Sequence, residues 1–198
     1  MNQSVEEQIQ IYKEKIKKEK YLCDNGAISR HIYSERCGLY CQEFYQELSK
    51  MDTEILKQQL LSHISGYSEK TDWESEDCLW IDSISVVPDS AFVPYVVKIL
   101  KIQGEKVLYF SALTVLKYLP EEIGEEAVPG ICEAISANNP FWTEYVFAEA
   151  FEALIFNLNG MAEEFIYKSC SSDVPFIKQW ATYYRDNRLM FLPKHLKQ

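Results

Sequence analysis

Histidine, cysteine and clustered carboxylates are the residues from which this chain would build a metal, nucleophilic or acid–base site. The three histidines, His31, His63 and His195, fall in no Glu-x-x-His or His-Glu-x-x-His pattern, so no helix turn presents a ligand pair with its base. Of the six cysteines (Cys23, Cys37, Cys41, Cys78, Cys132, Cys170), only Cys37 and Cys41 lie one helical turn apart. No Cys-x-x-Cys and no second ligand pair completes four-coordination, so the two read as free thiols on a buried helical face. Cys78 stands beside Asp77, whose charge would raise a thiol pKa and blunt its nucleophilicity. Glu121, Glu122, Glu125 and Glu126 have the spacing to share a proton or an ion. Consecutive acids at a helix start, however, are favourable partners of the helix dipole and face water. No Gly-x-Ser-x-Gly, P-loop or dinucleotide fingerprint occurs, and seven glycines leave little for phosphate-cradling loops. These residues point away from an enzyme and call for no cofactor and no metal.

Charge carries more information when divided along the chain. Residues 1–66 hold nine Lys/Arg and ten Asp/Glu, residues 67–171 six and eighteen, and residues 172–198 five and two. The middle block has no arginine and repels phosphate backbones, which excludes direct nucleic-acid binding by this segment. Its natural counterpart is a basic protein. Asp72, Glu74, Glu76 and Asp77, with Glu121 and Glu122, supply the steering charge. Trp73, Trp142 and Tyr145 are the candidate anchors, since aromatic rings that lose water on contact dominate interface energies. The lysines of the first helix (Lys13, Lys17, Lys18, Lys20) are balanced by Glu6, Glu7, Glu14 and Glu19 and read as a solvated face. The first residues have no basic stretch followed by an apolar one, and no apolar run approaches bilayer length. The expectation is a cytoplasmic chain with reduced thiols and no membrane partner.

Nearly every element that would carry these residues reads as a helix. Ser4 with Glu7 forms a capping box for a helix ending near Asn25-Gly26. Ser29 opens a second helix toward Ser49, and Asp52-Thr53-Glu54 a third that Gly66 ends. The polar stretch from Tyr67 to Asp77 reads as a loop, and the apolar run from Leu79 to Val87 is a short helix or a strand, with helix favoured by its neighbours. Paired helices then follow. Ser90 caps one that stops at Gly104, and its partner runs from Glu105 to Leu119. The next pair spans Gly124 to Ala137 and, from Asn139-Pro140 read as a cap with proline at the first helical position, on to Leu158. The last pair covers Met161 to Cys170 and Asp173 to Asp186. Pro94 and Pro129 sit near the starts of first helices, where early amides have no intrahelical acceptor.

Each second helix carries an aliphatic residue followed four positions later by alanine: Leu108 with Ala112, Val146 with Ala150, Ile177 with Ala181. A helix that packs against both its partner and its neighbour needs a small residue where backbones approach. Together with Val93-Pro94, Val128-Pro129 and Ile177-Lys178-Gln179-Trp180-Ala181, this pattern resembles the HEAT family of helical repeats over residues 90–187. The chain departs from the family where Tyr109 and Phe147 stand at positions that favour arginine, where Asp173 alone supplies the inter-helix aspartate, and in alanine spacings of 38 and 31 residues. The resemblance implies an all-α fold of antiparallel helix pairs stacked as a short α-solenoid. The chain reads as one domain: N-terminal helices over 1–66, an acidic loop and short element over 67–89, repeats over 90–187 and a tail over 188–198. A small, acidic, all-helical chain is also similar in class to immunity proteins that bind nuclease toxins. The expected function is therefore neutralisation of a basic partner, such as a nuclease toxin domain, by direct complex formation. A HEAT-like scaffold subunit, or a HEAT-like enzyme with an unrecognised site, are the alternatives.

Overall fold

The computed structural model describes residues 4–66, 77–104 and 106–191, apart from the side chains of residues 188, 189 and 191. Among the described residues, regular structure comprises ten α-helices and two short 3-10 turns, with no strand. The chain divides into two compact units, Met1–Ser62 and His63–Gln198. The division falls within the third helix.

The first unit is built on a helical hairpin. Helix α1 (Val5–Asp24) starts at the expected capping box, in which Ser4 Oγ accepts the Glu7 amide and the Glu7 carboxylate accepts the Ser4 amide. Gly26 turns the chain with φ +72, a conformation that only glycine adopts without strain. Helix α2 (Arg30–Leu48), capped by Ser29, returns along α1. Arg36 donates to Glu19 at 2.8 Å and the Tyr40 hydroxyl donates to it at 3.1 Å, which accounts for a glutamate only 3% exposed. The Arg36 guanidinium holds this carboxyl below its ordinary pKa. Helix α3 (Thr53–Ser65) is anchored where Gln59 accepts the Val5 amide, and its Leu56 and Leu60 join Val5, Ile9, Phe44 and Leu48 as buried residues.

The second unit contains α4 (Asp77–Asp82), α5 (Val93–Ile99), α6 (Lys106–Lys117), α7 (Glu121–Ser136), α8 (Glu144–Phe156), α9 (Gly160–Ser169) and α10 (Pro175–Phe191). Successive helices pack as pairs, α5 with α6, α7 with α8, and α9 with α10. Equivalent members of the pairs also meet: α6 packs on α8 and α8 on α10, while α5 packs on α7 and α7 on α9. Equivalent members run in the same direction. Lys106 at the start of α6 meets Tyr145 at the start of α8, and Tyr118 just past α6 meets Phe156 at the end of α8. The alanines of the aliphatic–small pattern, Ala112, Ala150 and Ala181, are fully buried, as close backbone approach requires.

Two buried asparagines join one pair to the next. Asn139, between α7 and α8, donates to the carbonyls of Leu100 and Ile102 just past α5. Asn157, at the end of α8, donates to the carbonyl of Leu116 in α6 and to that of Ala153 in its own helix. The last carbonyls of a helix have no intrahelical donor and must find one when buried, so each asparagine closes a helix end belonging to the previous pair. Trp142 Nε1 and the Tyr109 hydroxyl complete the set at α5, donating to Leu100 and Ile102.

Several boundaries differ from the sequence expectation. The run from Leu79 is helical through Val86, as α4 and the 3-10 turn Ser83–Val86, and Asp77 is the first residue of α4 rather than the end of a loop. Helix α8 begins after Thr143, because the Asn139 side chain faces the α5 carbonyls and its own Phe141 amide instead of capping a helix. Pro129 lies well inside α7, which starts at Glu121. Its missing amide is tolerated there on a solvent-exposed position.

Glycine positions separate tight from open packing. A Cβ on Gly130 would stand 2.3 Å from Val97 Cγ1 and 3.2 Å from Val97 Cβ, an atom that no rotamer change can move away. A Cβ on Gly38 in α2 meets nothing. Gly130→Ala is expected to lose about 1–3 kcal/mol to overpacking, against roughly 1 kcal/mol regained from helix propensity. Gly38→Ala is expected to gain up to about 1 kcal/mol. Urea melts of the two variants check the pair, and a stabilised Gly130→Ala would contradict the α5–α7 approach.

Candidate partner-binding face

Helix α8 is apolar on the side that meets its neighbours. Val146, Phe147, Ala150, Phe151, Ala153, Leu154 and Ile155 are buried. The residues left over, Glu144, Tyr145, Ala148, Glu149, Glu152 and Phe156, recur at helical spacing and form a strip that reaches solvent. On this strip Lys117 of α6 donates to Glu152 at 2.6 Å and to Glu149 at 3.1 Å. The lysine side chain is only 10% exposed, and the carboxylates are 22% and 32% exposed. Burial alone would lower the Lys117 pKa, but the Glu152 and Glu149 carboxylates outweigh it and hold the ammonium above its ordinary value. The three groups together keep one negative charge.

Aromatic rings frame this ion group. Lys117 lies 5.4 Å from the Tyr118 ring centre and 5.5 Å from that of Phe156. Toward the start of the helices, Lys106 sits 5.4 Å from Phe110 and 5.3 Å from Tyr145. In both places a cation meets one ring from the α6 segment and one from α8. On α10, Gln179 donates to Glu144 at 2.9 Å, and Trp180, Tyr183 and Tyr184 form a cluster of edge-on and tilted rings. Tyr184 is buried against Phe151, and its burial, followed by the charges of Glu152 and Glu149, pushes its hydroxyl well above the ordinary pKa. Tyr145, Tyr118 and Tyr183 are exposed.

A second charged surface lies on α7. Glu121, Glu122, Glu125 and Glu126 are all exposed in its first two turns, and Glu133 further along is paired with Lys101. Of the large apolar and aromatic residues exposed among the described residues, none belongs to α7.

The candidate residues from the sequence divide accordingly. Tyr145 is exposed on the α8 strip, and Glu121 and Glu122 are exposed on α7. The two places are separate: Gly124 of α7 lies against Asn157 at the end of α8, and Tyr145 is twelve residues earlier, about 18 Å along the helix. Trp142 is no surface anchor. It is 6% exposed, hydrogen-bonded to Leu100 and packed edge-on against Phe147. Asp77 is no steering charge either, being 3% exposed and 3.6 Å from His63, whose imidazole stacks on Trp80 at 3.8 Å. Asp72, Trp73, Glu74 and Glu76 lie outside the described residues.

Sequence reasoning passed over Lys117, Glu149 and Glu152. The signal was present in Glu149 and Glu152 one turn apart on a strongly apolar helix, but their lysine comes from a different pair. Among titratable groups elsewhere, burial raises the Asp82 carboxyl, and a hydrogen bond from Ser111 partly counters it. Burial also pushes the Cys132 thiol up to about 11. No cluster of three His, Cys, Asp or Glu residues suited to a metal ion occurs among the described residues. No helix among them is long and apolar enough to cross a membrane.

No protein-family model matches the chain, and no match to it was found among curated proteins or among solved structures.

Two predictions follow from these charges. A lysine whose folded pKa is raised stabilises the fold fully below its ordinary value of 10.5, and this contribution is lost as pH rises through the higher folded value. The wild type should therefore lose more stability than Lys117→Met between about pH 9 and about pH 11.5 in urea melts. Equal losses would show that the carboxylates do not hold this ammonium. In the native protein at about pH 8, roughly one Cys132 in a thousand is thiolate. Mass spectrometry after iodoacetamide treatment should accordingly find Cys132 modified later than the half-exposed Cys23, Cys37, Cys41 and Cys170.

Proposed function

We propose that the chain is a binding protein that neutralises a basic protein partner by direct complex formation, as immunity proteins do against nuclease toxins, and that its second unit stacks as a short HEAT-like α-solenoid. The observation that carries the partner's sign is the α7 surface: four exposed carboxylates in two turns, Glu121, Glu122, Glu125 and Glu126. A toxin nuclease must present cationic side chains to its nucleic acid, and a concentrated anionic surface meets such a domain with fast, steered association.

The repeat reading is supported by bridges between equivalent positions of successive pairs. Lys117 to Glu149 spans 32 residues, Lys101 to Glu133 also 32, and Glu144 to Gln179 spans 35. The asparagine links span 37, 39 and 41. These offsets overlap, at the short end, the unit lengths of helical repeats, about 33 to 47 residues. Arrays of this kind offer extended surfaces for gripping other proteins.

The test is titration against the basic C-terminal domain of a secreted toxin encoded next to this gene. The expected result is a Kd below about 1 μM that weakens as salt rises from about 50 to about 300 mM. Reversal of Glu125 and Glu126 to lysine should slow association by about tenfold or more. Affinity poorer than micromolar, or indifference to salt, would count against neutralisation of a basic partner.

A further inference from the structure

Helices α1 and α2 pair in a register that their cross-hairpin contacts define. Tyr12 meets Phe44 with ring centres 5.5 Å apart, Lys15 reaches Glu43 at 2.7 Å, and Glu19 is held by Arg36 at 2.8 Å and Tyr40 at 3.1 Å. On α1, Val5, Ile9, Tyr12, Ile16 and Glu19 follow one another along one face at steps of four and three, and the next step is Cys23. On α2, Phe44 and Tyr40 are followed toward the turn by Cys37 and Tyr33. Glu19 sits between Arg36 and Tyr40, so the same register sets Cys23 between Tyr33 and Cys37. The Tyr33 hydroxyl agrees with this placement. It is hydrogen-bonded to the Cys37 thiol, and that bond, then burial, then negative charge on Cys37 and Cys23 raise it above its ordinary pKa. Both thiols thus border one hydroxyl.

The hairpin is unevenly packed. Val5, Ile9, Phe44 and Leu48 are buried at its base, whereas beyond Ile9 the only buried residue of α1 is Glu19, and α2 buries none before Phe44. Cys23 and Cys37 are half-buried, within reach of a small reagent, while Cys78 and Cys132 are buried. Where the base has large apolar side chains the tip has thiols, and two thiols facing across a seam offer a covalent bond in place of packing. Cys41 is no alternative partner for Cys37. One turn apart on a helix, Cβ atoms stand about 5–6 Å from each other, and a disulfide needs roughly 3.5–4.5 Å.

We propose that Cys23 and Cys37 are a redox-responsive pair that staples the hairpin tip by exchange with a low-molecular-weight disulfide such as oxidised glutathione. One cysteine thiolate attacks a sulfur of the small disulfide, whose S–S bond breaks; one glutathione leaves as a thiolate and takes up the proton. The second cysteine, as thiolate, attacks the protein sulfur of this mixed disulfide and expels the second glutathione. Two protein thiols are oxidised by two electrons, and one glutathione disulfide is reduced to two thiols. The new bond closes a loop around the Gly26 turn and restrains α1 against α2 even when the seam between them opens. The pair lies in the first unit and is independent of the basic-partner reading.

The full chain equilibrated with reduced and oxidised glutathione, quenched with acid, digested and weighed by mass spectrometry tests the pair. With about 1 mM reduced glutathione, chains linked between Cys23 and Cys37 should exceed those carrying glutathione on either cysteine by about tenfold or more. In concentrated urea, where chain connectivity alone brings the thiols together, that excess should fall by about tenfold or more. The link should persist in Cys41→Ser and vanish in Cys37→Ser. Amide exchange in the last turns of α1 and the first turns of α2 should slow by about tenfold or more in the oxidised chain and recover with dithiothreitol. Glutathione adducts without a link, a link that survives Cys37→Ser, or a link favoured as much in urea as in the folded chain overturns the pairing. Unchanged exchange in the linked chain overturns the staple.

Discussion

Every buried helix end leaves carbonyls without donors, and the second unit meets this constraint with asparagine. Leu100, Ile102 and Leu116 lie where α5 and α6 finish among other helices, with little water to solvate their oxygens. A buried carbonyl left open costs about 1–3 kcal/mol. Asn139 and Asn157 supply the donors, and each comes from the following helix pair. The ends of α5 and α6 are thus complete only when α7 and α8 are in place. The rest of the packing is arranged around these links. Gly124 is bare because Asn157 Oδ1 occupies the space a Cβ would need. Trp142 and Tyr109 are turned inward because their polar atoms serve the same carbonyls.

This arrangement also fixes which residues reach solvent. Once α8 is sandwiched between α6 and α10 in one direction and rests on α7 in another, a single strip of it is left, and that strip holds Tyr145, Glu149, Glu152 and Phe156. Lys117 reaches it from α6 because equivalent helices run the same way. Antiparallel neighbours would have placed Lys117 beside Tyr145 instead of beside the two glutamates. The direction imposed by short connections between paired helices therefore decides the electrostatics of the face.

Local signals made most of the helices legible. Ser4 with Glu7 and Ser29 cap helices where side-chain chemistry says they should, and the aliphatic–alanine spacing marks alanines that are fully buried. Where the reading failed, a distant partner had overridden a local preference. Asn139 followed by proline has the form of a helix cap, but its amide is worth more on two buried carbonyls nearly forty residues earlier. Trp142 has the composition of an anchor, and Asp77 that of a surface acid. One is held by the same carbonyls, and the other lies against an imidazole contributed by the last turn of α3. Tyr145 is exposed, with Lys106 of α6 beside its ring. Lys117 gave no signal, since a lone lysine reveals nothing until the helix that neutralises it is known.

The asparagine links have a direction, because each reaches backward from a later pair to an earlier one. Loosening of α8 therefore reopens the carbonyls of Leu100, Ile102 and Leu116, and α5 and α6 lose their closed ends together with it. The two helix pairs open as one cooperative block, so amide protons deep in α6 exchange only as often as α8 lifts away.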